Sequence, residues 1–255
     1  MCRLALKTAD TPFSPYEVLT AMEAMQEGYD GSGLGLLLRG IHFADFNYRE
    51  DQPIDRLFAG VETRVVELAT GRYVPEDRLA PESYNQLKAA LSAELGRSLD
   101  AADDLARIRR LEKYSLVYLV KQGETVQQYI LPVRGKGLWS TMFAYVAVDA
   151  DLNRIRGVAF YEHGETPGLG GEIENSRWQR LWQGKRIYAE SGEVGIKVVK
   201  GKAATDGIQA AYEIDGLSGA SLTTQGVDRL LHFWFGDDGF KPFFQQLRQE
   251  DTSNG

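Results

Sequence analysis

Four segments decide the fold: Ser115-Leu-Val-Tyr-Leu-Val-Lys121, Val126-Gln-Gln-Tyr-Ile-Leu-Pro-Val133, Met142-Phe-Ala-Tyr-Val-Ala-Val-Asp149 and Ile155-Arg-Gly-Val-Ala-Phe-Tyr161. Each is short and rich in β-branched and aromatic residues, which suit a pleated, half-buried surface. Gly123-Glu124 separates the first pair, and the turn residues Ala150 to Asn153 separate the last. Both gaps are short enough for hairpins, so the strands pair antiparallel. Upstream, Arg64 to Leu68 reads as another strand, followed by a turn at Thr70-Gly71.

Helices flank this block. Leu87, Leu91 and Leu95 recur every four residues and predict an amphipathic helix over Ser83 to Leu95. Leu105, Ile108 and Leu111 predict a second over Ala101 to Leu111. A helix around Arg177 to Trp182 and a strand at Gly195 to Lys200 follow. The last long element is a helix from about Thr224 to Phe235, with Val227, Leu230, Leu231 and Trp234 inward. Helices and hairpins are segregated rather than alternating, so the class is α+β with a mostly antiparallel sheet and flanking helices.

The polar stretch Tyr48 to Arg56, interrupted by Pro53, reads as a linker. It divides a short, partial α/β segment, 1–53, from a larger domain, 54–255. Before it, Ser14-Pro15 starts a helix that places Val18, Leu19, Met22 and Met25 on one face and ends at Gly28.

Composition excludes several function classes. The net charge is -7 over 255 residues, with no strong basic run, so nucleic acid is not an expected partner. Arg107, Arg109, Arg110 and Lys113 read as the solvated face of a helix. The single cysteine, Cys2, excludes an internal disulfide. His42, His163 and His232 lack the spacing of metal ligands. No apolar run reaches about 18 residues, and no apolar core follows Met1 as in a signal peptide. The chain as written is expected to be soluble.

Two loops carry the chemistry. Asp215-Gly-Leu-Ser-Gly-Ala-Ser-Leu-Thr223 joins a short strand to the final helix. Ser218, Gly219, Ala220 and Ser221 permit close backbone approach, and Thr223 or Thr224 can cap the helix. A helix N-terminus with free N–H groups favours phosphate, to which the hydroxyls of Ser218, Ser221 and Thr223 add donors. The same residues equally describe an ordinary small-residue loop before a capped helix. The second loop, Glu162 to Glu172, packs four glycines around Pro167. It completes no dinucleotide-binding glycine motif, because Ile173 takes the last place, and it lacks the strand–turn–helix context. Its Thr166-Pro-Gly-Leu-Gly170 core suggests a loop fitted against a flat ligand.

Gly137-Leu-Trp-Ser140, Gly164-Glu-Thr-Pro-Gly-Leu-Gly-Gly-Glu172, Asp215 to Thr223 and Phe233-Trp-Phe-Gly236 occur in that order. With Val65-Val-Glu-Leu-Ala-Thr-Gly71 and Ile108-Arg-Arg110, they make residues from about 57 to 247 resemble the FMN-binding domain family. That family includes the NqrC subunit of the sodium-translocating NADH:quinone oxidoreductase and the corresponding subunit of the Rnf complex. The resemblance implies an electron-transfer subunit of an NADH:ubiquinone reductase that transports sodium. It would work beside the other subunits of a membrane complex, anchored in the inner membrane with the flavin domain on the periplasmic side. It also implies FMN joined through its phosphate to a loop hydroxyl by a flavin transferase that uses FAD. Carried across, the acceptor is Ser221, where the family usually has Thr, and Thr223 is the nearest other hydroxyl. Asp215, Ser218, Gly219 and Ala220 complete the attachment motif. Glu165, Thr166, Gly168 and Leu169, with Trp139 and Ser140, would lie near the isoalloxazine or ribityl chain, and Lys200 would neutralise phosphate. No residue is needed as an acid–base catalyst, since the flavin performs the redox step.

The opening differs. Met1-Cys-Arg-Leu-Ala5 and Tyr29-Asp-Gly-Ser-Gly-Leu34 resemble the start of class II glutamine amidotransferases, which use an N-terminal cysteine nucleophile. Cys2 and Asp30-Gly31 match that family, whereas Gln26-Glu27-Gly28 departs from its His-Arg-Gly. This resemblance implies an alternative, a glutamine-hydrolysing activity at Cys2. A third reading is a structural subunit domain that never receives flavin.

Overall fold

A computed structural model of the chain describes residues 60–253. The amidotransferase-like opening, the linker and the boundary between 53 and 54 lie outside the described residues.

The core is a six-stranded antiparallel sheet. Its strands are β1 (Val61–Glu67), β2 (Tyr73–Val74), β5 (Tyr114–Gln122), β6 (Thr125–Lys136), β7 (Thr141–Asp149) and β8 (Ile155–Glu162), ordered β2-β1-β5-β6-β7-β8. The four segments read from sequence are the meander β5 to β8, and Gly123 turns the first hairpin at φ 61°. A small pair, β3 (Gly96–Ser98) with β4 (Arg110–Glu112), sits apart, and β9 (Lys197–Val198) runs parallel to β10 (Glu213–Ile214). The class is α+β, as expected.

Helix α1 (Gln86–Leu91) and the single turns α2 (Ser176–Gln179) and α3 (Gly207–Ala210) are short. Two long helices, α4 (Ser221–Trp234) and α5 (Lys241–Ser253), close the chain. They cover one sheet face. Val227, Leu230, Leu231 and Trp234 of α4 and Phe243, Phe244 and Leu247 of α5 join Leu131, Val133, Val146 and Phe160 in the main core. The stripe predicted for α4 is buried throughout. None of the described helices is long and apolar enough to cross a membrane.

Three sequence expectations change. The helix over Ser83 to Leu95 shrinks to α1, started by the Asn85 side chain, which accepts from the Lys88 amide. Its buried residues are Ala89 and Ala90, while Leu87 and Leu91 face solvent at 46% and 75% exposure. The helix of Ala101 to Leu111 does not form. The Asp104 carboxylate accepts from the amides of Ile108 and Arg109, which turns the chain, and Arg107 and Arg109 adopt φ of 54° and 65°. Finally, α5 is an addition, although Pro242 in its first turn and Phe243, Phe244 and Leu247 on one face are signals for it.

Candidate functional site

The loops between β6 and β7, after β8, and before α4 meet at one carboxylate. Glu165, buried at 5% exposure, accepts hydrogen bonds from the amides of Leu138 (3.1 Å), Trp139 (2.9 Å) and Ser140 (3.3 Å). It also accepts from the Thr223 hydroxyl at 2.5 Å. Three stretches far apart in sequence are thereby tied to one point. Burial raises the cost of the Glu165 charge, but the bonds from Thr223 and the three amides outweigh it and hold the carboxyl below the usual range. Hydrogen bonds to a buried ion are the strong ones, so this knot is rigid.

Neighbouring contacts brace it. The amide of Gly164 donates to the Ser140 hydroxyl at 2.6 Å, linking the first two loops again. The His163 ring accepts from the Glu165 amide at 3.1 Å and faces Glu174 at 2.9 Å. Thr166, Pro167, Gly168 and Leu169 form a tight turn, closed by the Leu169 amide on the Thr166 carbonyl at 3.1 Å. Gly168 sits there at φ 75°, as position three of a type II turn requires.

The third loop is held from below. The Asp215 carboxylate accepts from Lys202 at 2.6 Å and from the Ala203 amide at 2.8 Å, while its carbonyl accepts from the Trp178 indole. Burial opposes the Asp215 charge, yet these donors keep its carboxyl below the usual range. The loop backbone crosses the segment that carries Lys200: the Gly216 amide donates to the Gly201 carbonyl at 2.8 Å. Lys200 itself is exposed. Helix α4 comes close to β6 because position 226 has no side chain. A Cβ at Gly226 would lie 2.5 Å from the Lys136 carbonyl oxygen.

The helix begins one residue after Ala220, which offers no side-chain cap. Thr223 and Thr224, expected as caps, lie in the first turn and are buried. Thr223 is spent on Glu165, and Thr224 accepts from the Leu217 amide at 3.0 Å. Ser218, Gly219 and Ser221 remain exposed. The first-turn amides of such a helix end, with its partial positive charge, face the same side.

Apolar surface surrounds this helix end. Of the ten exposed large hydrophobic residues among those described, Leu138, Trp139, Leu169 and Leu222 all stand on the three loops. Trp139 is 65% exposed, and the Leu169 side chain reaches the backbone of Gly219. A cluster of this kind marks a ligand or partner site. The fit to a flavin phosphate ester is therefore favourable: an exposed hydroxyl on a helix N-terminus, small neighbours, and flat apolar walls. Sequence reading named every loop but missed Glu165 as their shared hub and His163 as its brace. A single buried carboxylate amid glycines gives no periodic signal.

Comparison with known proteins agrees with this geometry. The family model for the FMN-binding domain matches residues 137–236. The NqrC subunit of the Na(+)-translocating NADH-quinone reductase of Pseudomonas aeruginosa is 46% identical over 192 residues, covering 75% of this chain and 73% of that protein. The same subunit from Vibrio parahaemolyticus is 46% identical over 190 residues, covering 74% and 72%. The crystal structure of Shewanella oneidensis NqrC superposes with a TM-score of 0.74 at 32% identity, over 85% of this chain and 98% of that one. The chain belongs to the NqrC family, a subunit family of the sodium-translocating NADH-quinone reductase, which is an oxidoreductase complex.

Proposed function

We propose that this chain is the FMN-carrying electron-transfer subunit of a sodium-translocating NADH:quinone reductase, with the flavin phosphate esterified to Ser221. The observation that carries the site is the division of hydroxyls in one loop. Thr223 is 1% exposed and committed to Glu165, whereas Ser221 is exposed at the first position of α4. A transferase can reach only the second.

Attachment consumes FAD. The Ser221 oxygen attacks the phosphorus on the flavin side of the pyrophosphate, the bond to AMP breaks, AMP leaves, and the hydroxyl proton passes to a base on the flavin transferase. The bound group then supplies reversible electron transfer. The chain's own residues hold it: the α4 end and the Ser218 and Lys200 side chains face the phosphate, and Leu169 and Trp139 offer apolar surface to the ring. Glu165 and Asp215 act indirectly, by fixing the loops. Partners are the other subunits of the complex, with the flavin domain on the periplasmic side of the membrane.

The test is co-expression with a flavin transferase, followed by a denaturing gel viewed under ultraviolet light. A fluorescent band is expected for the parent chain and for Ser221→Thr, and none for Ser221→Ala. Retention of the band in Ser221→Ala would place the ester elsewhere.

A further inference from the structure

We propose that a groove beside β6, about 980 Å³ in volume, docks an acidic, apolar-anchored segment of another protein subunit. Its lining brings Arg107, Arg109, Arg110, Arg134 and Lys136 together, with Asp104 the one acidic residue there. That is a local excess of positive charge on a chain whose net charge is -7.

The cations divide into two sets. Arg110 donates to the carbonyls of Ala90 and Ser92, and Arg134 is paired with buried Glu112 at 2.5 Å. Lys136 donates to the Trp139 carbonyl at 2.8 Å. These three hold the wall in shape. Arg107 and Arg109 are exposed, and their guanidinium groups have no partner among the described residues. Both stand in the left-handed backbone region, which side-chain-bearing residues disfavour, and the Asp104 carboxylate pins them there. Strain maintained at two neighbouring exposed arginines points to use rather than accident.

The rim is apolar where a helix should be polar. Leu87 and Leu91, one turn apart on α1, line the groove and are exposed, and exposed Leu105 follows Asp104 directly. A small anion calls for converging, sheltered donors, and the sheltered donors here are already taken. Peripheral guanidinium groups beside leucine anchors instead match a protein interface, where charge steers the encounter and apolar contacts hold it. The acidic character of the rest of the chain would repel an acidic partner everywhere but here, so the groove also sets orientation.

The flavin-loaded full chain would be titrated against the reductase complex assembled without it, at low and moderate salt. Association should weaken at least tenfold in Arg107→Glu/Arg109→Glu and several-fold in Leu91→Ser, and the double variant should lose most of the salt dependence. Circular dichroism should show both variants folded, and their flavin content should match the parent's. Ser221→Ala, which lacks the ester, should associate normally, so failure of the flavin assignment leaves this test intact. Undiminished association of the double variant, no association of the parent, or displacement of the complex by inorganic phosphate alone would overturn the proposal.

Discussion

Thr223 and Ser221 are two positions apart and chemically alike, yet one is locked in a buried bond and the other is open. Sequence could not separate them, because the partner that takes Thr223, Glu165, lies 58 residues away. Replacing Thr223 by Val keeps the shape and removes the donor. Hydrogen bonds to charged groups contribute about 1.5–3 kcal/mol, so Thr223→Val should lower stability by about that amount in urea unfolding at unchanged m-value. Glu165→Gln should lose the charge-assisted part of all four bonds. Ionised Glu165 has a depressed carboxyl pKa, so its stabilisation is full above the ordinary glutamate range and disappears as pH falls through the lowered value. Parent and Glu165→Gln should therefore converge in stability toward strongly acidic pH and differ most near neutrality.

Among the secondary-structure elements, the strands were more legible than the helices. The meander from β5 to β8 follows from alternating apolar runs with Gly123 and Asn153 between them, and all four strands form. The helix expected over Ala101 to Leu111 fails because Asp104 captures two amides and the chain turns left-handed at Arg107 and Arg109. No propensity signal carries that information. On α1 the leucine period was real, but it faces outward, because the small residues Ala89 and Ala90 let the helix lie close to Tyr84 and Tyr114. Helix α4 approaches β6 through Gly226, and this approach lets Thr223 reach Glu165. Gly226→Val should push α4 off the Lys136 carbonyl and cost about 1–3 kcal/mol, as overpacking does. Flavin incorporation should fall with it, read as the ratio of flavin absorbance to protein.

Across the domain, one sheet carries both the loop cluster and the basic groove, with β6 common to the two. Its register is set partly by a buried ion pair. Glu112 is fully buried, bonded twice by Arg134 and once by Gln86, while the Trp234 indole donates to the Arg134 carbonyl at 2.7 Å. Breaking such a pair leaves an uncompensated charge and costs about 3–5 kcal/mol. Glu112→Gln should therefore lower the thermal midpoint far more than removal of exposed Glu82, measured by differential scanning calorimetry. The function rests on a covalent flavin carried by this same domain. Intact mass spectrometry of the chain co-produced with a flavin transferase, followed by peptide mapping, reads that bond without intermediate steps. The expected result is an added mass of one FMN less one water, on the peptide that contains Ser221. An unmodified mass, or the same addition on a peptide without Ser221, would contradict it.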